Sequence, residues 1–190
     1  MNKLKGNIMN IKEKVNTILL CDIAKHLGID SDIDPDIIKY AITSNNEWVI
    51  SAKYSILLDD ESSKHTKEDR DFLVEILNMY RGLSACLRKF SKDKQQELIK
   101  KNNLKLIDNY IQIPGFDENN EYKYINILEG FLMIDKFPEQ KKPISNTHTQ
   151  TIDGYRRMIS SYNNYEILDR NWDITESEFQ DILDSAPYSI

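Results

Sequence analysis

The spacing of the apolar residues limits what this chain can fold into more than any other feature. They recur at steps of three or four residues, the period at which side chains return to one face of an α-helix. One long run extends from Phe72 to Phe90, and another covers Ile8 to Leu27. Helix-ending and helix-starting residues border them, as with Gly28 and the pair Asp34-Pro35. The pattern predicts an all-α protein of about seven to nine helices.

One segment departs from the helical period. Residues between Leu104 and Phe116 alternate in polarity and include Pro114-Gly115, which interrupts a helix. We therefore predict a single compact multi-helix domain over residues 1–190, with at most a minor extended segment near residues 104–116. Residues 1–7 precede the first periodic run, and we expect them to form a flexible N-terminal tail.

The charge balance argues against two classes of partner. The chain carries 25 basic and 31 acidic residues, a net charge of −6, whereas nucleic-acid and anionic-membrane binders are usually basic. The N-terminal lysines are not followed by the uninterrupted apolar stretch of a signal peptide, because Lys12, Glu13 and Lys14 occupy that place. We expect a soluble cytoplasmic protein with no membrane partner.

The cysteines and histidines are too scattered to predict a metal site. Cys21 and Cys86 lie far apart in helical patterns, where a free cysteine behaves as a small buried apolar residue. His26, His65 and His148 show no paired ligand spacing. Phosphate-binding, dinucleotide-binding and nucleophile-elbow motifs are also missing from the sequence. We predict no metal and no cofactor, and no catalytic residue can be named.

Two motifs resemble nucleic-acid-binding elements. Residues 23–29 are similar to the first half of a helix-turn-helix, but four aspartates between Asp30 and Asp36 would repel DNA phosphates there. Residues 88–105 hold seven basic residues against Asp93 and Glu97, with one aromatic residue, Phe90, where stacking surfaces usually have several. A solvated helix face is the favoured interpretation of this basic segment. Docking of the acidic residues 166–184 against it, within or between subunits, is a further hypothesis.

Polar residues that could form a site come from a turn after Gly115 and from a helix that Thr151 begins. Arg156 and Arg157 are adjacent, so they point about 100° apart on a helix, and we expect one of them to pair with Asp117 or Glu121. The pair could tie loop to helix, or the arginine could bind an anionic ligand. The candidate cluster is Asp117, Asn120, Glu121, His148, Tyr155, Arg156 and Arg157.

Several short motifs in fixed order resemble one known family. They include Gly115-Phe116-Asp117-Glu118-Asn119-Asn120-Glu121, Asp153-Gly154-Tyr155-Arg156-Arg157-Met158, and Ile76-Leu77-Asn78-Met79-Tyr80. With Asp34-Pro35-Asp36 and Trp48 before Lys53-Tyr54, these residues are similar to the YfbU family of mostly helical bacterial proteins. The likeness runs from about residue 8 to the C-terminus. It implies a helical fold and a cytoplasmic homo-oligomer but no particular reaction.

Three functions follow as hypotheses. The favoured one is a non-catalytic homo-oligomeric binding or regulatory protein, which binds itself and has another protein as a further candidate partner. The alternative is a hydrolase for a phosphate-containing substrate that uses Asp117, Glu121, His148 and one arginine, which should then converge around one cavity. The third is nucleic-acid binding through the basic segment 88–105.

Overall fold

The computed structural model describes residues 9–54, 65–141 and 143–186, and these residues are predominantly helical. The predicted tail 1–7 lies outside the described residues. So do residues 59–64 of the polar segment 59–66, whose composition predicts a loop. The helices are α1 (Ile11–Leu27), α2 (Pro35–Thr43), α3 (Trp48–Tyr54), α4 (Lys67–Lys89), α5 (Lys92–Lys101), α6 (Tyr122–Met133), α7 (Ile152–Asn164) and α8 (Glu176–Asp184). The all-α prediction is confirmed. Within the described ranges, no helix is both long enough and apolar enough to cross a membrane.

The predicted extended segment is a short antiparallel hairpin. Strand β1 (Leu106–Ile107) pairs with β2 (Tyr110–Ile111), and Leu106 lies opposite Ile111. Asp108 and Asn109 form the two-residue turn, both with positive φ, which is the backbone geometry that matches strand twist in tight hairpins. The Ile111 amide donates to the Ser84 hydroxyl at 2.9 Å, so the hairpin is held against α4.

The chain divides into two compact units. The first comprises residues 1–67 and 126–136, and the second comprises residues 68–125 and 137–190. Helix α6 therefore contributes its beginning to the second unit and the remainder to the first.

The first unit is built around a fully buried amide. Asn46 accepts a hydrogen bond from the Trp48 indole at 2.8 Å and donates to the Asn126 carbonyl at 2.6 Å, which joins the α2–α3 turn to α6. Asn126 in turn donates to the Ser44 carbonyl at 2.8 Å. The Trp48 ring packs edge-on against Phe131, 5.0 Å between centroids. Buried amides satisfied in this way determine a single arrangement of the elements that they join.

Helix α4 supplies the core of the second unit. Leu73, Ile76, Leu77 and Leu83 on this helix are fully buried, as its three- and four-residue spacing predicts. Its Tyr80 hydroxyl donates to the Met158 sulfur of α7 at 3.7 Å. Ring contacts extend this core, from Tyr80 to Tyr155 and from Phe90 to Phe179 of α8.

Candidate functional site

Glu121 is the centre of the predicted polar cluster. Its carboxylate is only 5% exposed and accepts hydrogen bonds from the amides of Thr151 and Ile152, at 2.7 and 3.0 Å, where α7 begins. It also accepts from the Thr151 hydroxyl at 2.7 Å and the Asp117 amide at 3.0 Å. Thr151 itself makes no side-chain cap, so Glu121 caps this helix from a distant part of the chain. A carboxylate at a helix N-terminus is stabilised by the unpaired amides and the helix dipole there.

Asp117 and Asn120 form the turn that presents Glu121. The buried Asp117 carboxylate accepts from the Asn119 amide at 3.1 Å and from the Asn120 side chain. The Asp117 carbonyl accepts from the Glu121 amide at 2.7 Å. An aspartate that binds the chain two residues later is a common turn former, and its buried oxygens are used for that purpose here.

Tyr155 connects the same turn to α7. Its ring is fully buried, packs against Phe116, and its hydroxyl donates to the Gly115 carbonyl at 2.8 Å. Gly115 has a φ of 111°, and a Cβ there would collide with the Ser145 carbonyl oxygen. Only glycine suits both that backbone region and that close approach.

The remaining predicted residues do not join this cluster. Arg156 is exposed and pairs with Asp153 at 3.1 Å, one turn away on the same helix. Arg157 is exposed, and His148 lies in an exposed turn at a positive φ of 55°. Among the described residues, no ion pair joins either arginine to Asp117 or Glu121, so the expected pairing is wrong. The physical reason is that backbone and hydroxyl donors already occupy the Glu121 oxygens.

The basic segment 88–105 is used partly for packing. Arg88 lies over the Tyr110 ring, 5.1 Å from its centroid, and Lys89 donates to the Asn171 carbonyl. Lys94 pairs with Glu97 and with Glu176 of α8, both at 2.8 Å. The acidic residues 166–184 therefore dock on part of the basic segment within one chain.

The other end of this segment borders a cavity of about 620 Å³ in the second unit. Lys101 and Lys105 line it together with Gln112, Asn146 and Gln180. Its described lining includes none of Asp117, Glu121, His148 and Arg156, so the groups named for hydrolysis do not converge on it. Asn146, one of the lining residues, pairs across an isolated bridge with Phe116, which precedes Asp117 in the chain.

The comparison with family models decides the classification. The model of the YfbU domain matches residues 39–185 of this chain. The chain belongs to the YfbU family. A search of curated proteins and a search of solved structures found no matching relative. The YfbU match begins within α2 and ends just after α8, so α1 lies outside the matched residues.

In this YfbU chain, the sequence signal for the cavity was the basic segment itself. The sequence shows seven positive charges in 18 residues, but it does not show what each of these side chains contacts. Which lysines pair with carboxylates and which face a cavity depends on α8 and residues 145–147, which are distant in the sequence.

Proposed function

We propose that this chain is a homo-oligomeric binding protein of the cytoplasm, and that α1 of one subunit packs antiparallel on α1 of another. The observation that carries the proposal is an exposed apolar face along α1. Leu19 and Ile23, near the middle of the helix, are 55% and 51% exposed. Contiguous exposed apolar surface of this kind marks interaction sites on folded proteins.

The apolar face runs the length of the helix and continues beyond it. Burying such side chains in a contact gains free energy of about 25 cal/mol per Å² of apolar surface removed from water. Of the residues on α1, Cys21 is the buried one. The exposed aliphatic residues are Ile11, Val15, Leu19, Leu20, Ile23, Leu27, Ile29 and Ile33.

The side of α1 opposite this face carries the buried Cys21, and two ion pairs join the helix to α2. Lys25 pairs with Asp36 at 2.8 Å, and Asp22 pairs with Lys39 at 2.6 Å. Leu19 and Ile23 each lie about 160° around the helix from Cys21, so they face away from this anchored side. The apolar face is thus presented on a fixed element.

A two-fold antiparallel arrangement suits the charges at both ends of the face. With Leu19 placed opposite Ile23 of a second copy, Val15 lies opposite Leu27, and Lys12 lies near the loop that carries Asp30, just after the end of the other helix. Lys12 and Asp30 are both exposed. The two helix dipoles also oppose each other in this orientation. A surface that is complementary to itself about a two-fold axis produces a closed dimer.

A paired substitution tests the interface. We expect sedimentation velocity from about 1 to 100 µM to show a dimer for the wild-type chain. The double variant Leu19→Glu/Ile23→Glu should be monomeric, because two carboxylates from each copy would enter an apolar contact. The matched control is Leu168→Glu, a substitution of another exposed leucine, 66% exposed, in the second unit; it should remain dimeric.

Two outcomes contradict the proposal. One is a wild-type chain that stays monomeric throughout the concentration range. The other is a dimer that persists in Leu19→Glu/Ile23→Glu while circular dichroism shows unchanged helix content. Because both side chains are more than half exposed, the substitutions leave the core of the subunit intact.

Two further observations support the binding role and the compartment. The buried carboxylates of Asp117 and Glu121 serve the turn and the start of α7, which favours a structural use of the predicted cluster over a reaction centre. Cys21 and Cys86 are buried free thiols, and burial raises the pKa of the Cys86 thiol to about 11. Reduced, unreactive thiols suit the reducing interior of a cell.

A further inference from the structure

We propose that the cavity beside Lys101 and Lys105 binds a small organic anion, a carboxylate or phosphate attached to an apolar or ring-shaped group. Its volume of about 620 Å³ lies within the range of cavities that bind small molecules. This inference concerns the second unit and does not depend on the α1 interface.

The apolar part of the ligand is specified by the cavity wall. Tyr80, Leu104, Ile113 and Leu183 are among its lining residues. Tyr80 and Leu183 are buried members of the core of the second unit, so this wall is part of the packed core. A preformed apolar wall with a few placed polar groups is the usual composition of a small-molecule site.

The charged part is specified by two lysines. Lys101 and Lys105 are exposed at the cavity, and neither forms an ion pair with a carboxylate in the part of the chain that the structure describes. Lys94, on the same basic segment, pairs with Glu97 and Glu176. The described lining contains one carboxylate, Asp184, which already accepts from Gln180 at 2.7 Å. Two lysines against one carboxylate give the described lining an excess of positive charge, which attracts an anion.

The amides around the cavity are held in place by hydrogen bonds. Asn102 and Gln180 bind each other through both side chains, at 2.7 and 3.0 Å. The buried Gln112 donates to the Glu139 carbonyl at 2.9 Å and accepts from the Lys141 amide at 2.9 Å. Fixed polar groups lower the entropy cost of ordering a site when a ligand binds.

The test is a nuclear magnetic resonance titration with phenyl phosphate and, separately, benzoate. Both carry a ring and one anionic group, and benzyl alcohol is the neutral counterpart. We expect saturable shifts of the side-chain amide signals of Asn102, Gln112 and Gln180 with at least one anion. Benzyl alcohol should bind at least about fivefold more weakly, since charge-assisted hydrogen bonds to lysine are lost. Comparison of the two anions identifies the preferred group.

Matched variants distinguish the effect of the cavity lysines on ligand affinity from the effect of the overall charge. Lys101→Gln/Lys105→Gln should raise Kd at least about fivefold. Lys92→Gln/Lys100→Gln removes the same charge from exposed positions on α5 outside the cavity lining, and should change Kd less than about twofold because screened charges act weakly. The proposal is overturned if neither anion shifts the cavity amides, if benzyl alcohol binds equally well, or if both double variants behave alike. Repeating the titration on Leu19→Glu/Ile23→Glu shows whether ligand binding depends on the oligomeric state.

Discussion

Among single residues, Glu121 makes the most hydrogen bonds in the predicted cluster, because four donors from two parts of the chain meet on one buried carboxylate. The sequence motifs indicate Glu121, Asp117, Asn120 and Tyr155 as candidate site residues, and the structure brings these around one turn. The arginine predicted as the partner of Glu121 is wrong, because the actual donors are mainly backbone amides. The sequence does not show which backbone amides will reach a carboxylate. Charge alone favours Arg156 and Arg157 as partners of the Glu121 carboxylate, yet both lie on the exposed side of α7.

We predict that Glu121→Ala lowers the free energy of unfolding by about 2–4 kcal/mol, because it leaves buried amides of Asp117 and Thr151 without acceptors. Urea unfolding followed by circular dichroism measures the loss. Asp153→Ala removes an exposed carboxylate that pairs with Arg156 at the beginning of the same helix, and should cost at most about 1 kcal/mol. Equal losses for the two variants would contradict the capping role of Glu121.

A second residue-scale prediction concerns pH and the capping box of α8. The Arg170 guanidinium and the Thr175 amide lower the pKa of Glu178 to about 2, from an ordinary value of 4.5. A carboxyl group whose pKa is lower in the folded state stabilises the fold above its unfolded pKa, and that contribution is lost as the pH falls toward the folded pKa. We therefore expect Glu178→Gln to unfold at a lower temperature than wild type at pH 6. The corresponding loss in the free energy of unfolding should be at most about 1 kcal/mol.

The difference between wild type and Glu178→Gln should shrink between pH 4.5 and 2, the interval that separates the two pKa values. Thermal unfolding at several pH values measures it. Glu75→Gln is the control, because Glu75 is exposed on α4 and forms no ion pair within the described residues. A wild-type advantage that stays constant down to pH 2 would contradict the proposed role of the carboxylate charge.

Among the elements, α1 shows that predicting a helix and predicting its buried face are different tasks. The three- and four-residue spacing correctly predicted a helix that ends at Gly28, which adopts the left-handed conformation with a φ of 62°. The same spacing normally marks the side that faces a core, yet Leu19 and Ile23 are exposed. Periodicity tells which residues share a face, but a contact with a second molecule would produce the same period.

Helix caps show a similar division. Thr175 followed three residues later by Glu178 predicts a capping box, and it is present at the start of α8. Ser44 and Glu47 have the same spacing, which predicts a second capping box, but this prediction is wrong. Ser44 ends α2, and its hydroxyl donates to the Tyr40 carbonyl at 2.6 Å. Glu47 instead pairs with Lys14 of α1 at 2.6 Å. A serine between two short helices can serve either one, and packing decides which.

A charge reversal tests the orientation of the α1 pair. In the antiparallel arrangement Lys12 lies near Asp30 of the second copy twice per dimer. We predict that Lys12→Asp raises the dimer dissociation constant by about 3- to 30-fold at low salt, and that adding Asp30→Lys restores it. Sedimentation equilibrium measures both constants. Failure of the second change to restore affinity would contradict the antiparallel register while leaving dimerisation itself open to the test on Leu19 and Ile23.

For the whole molecule, the amino-acid sequence by itself determined the helical class, most helix positions, the short extended segment and membership of the YfbU family, because period, caps and turn residues act over a few neighbours. Only the tertiary structure decided which face of α1 stays exposed, which donors reach Glu121, and which lysines border the cavity. Those outcomes depend on residues that are far apart in the chain, such as Lys94 with Glu176 and Glu121 with Thr151. Local spacing carries no information about such pairs, since they are selected by the packing of the whole unit.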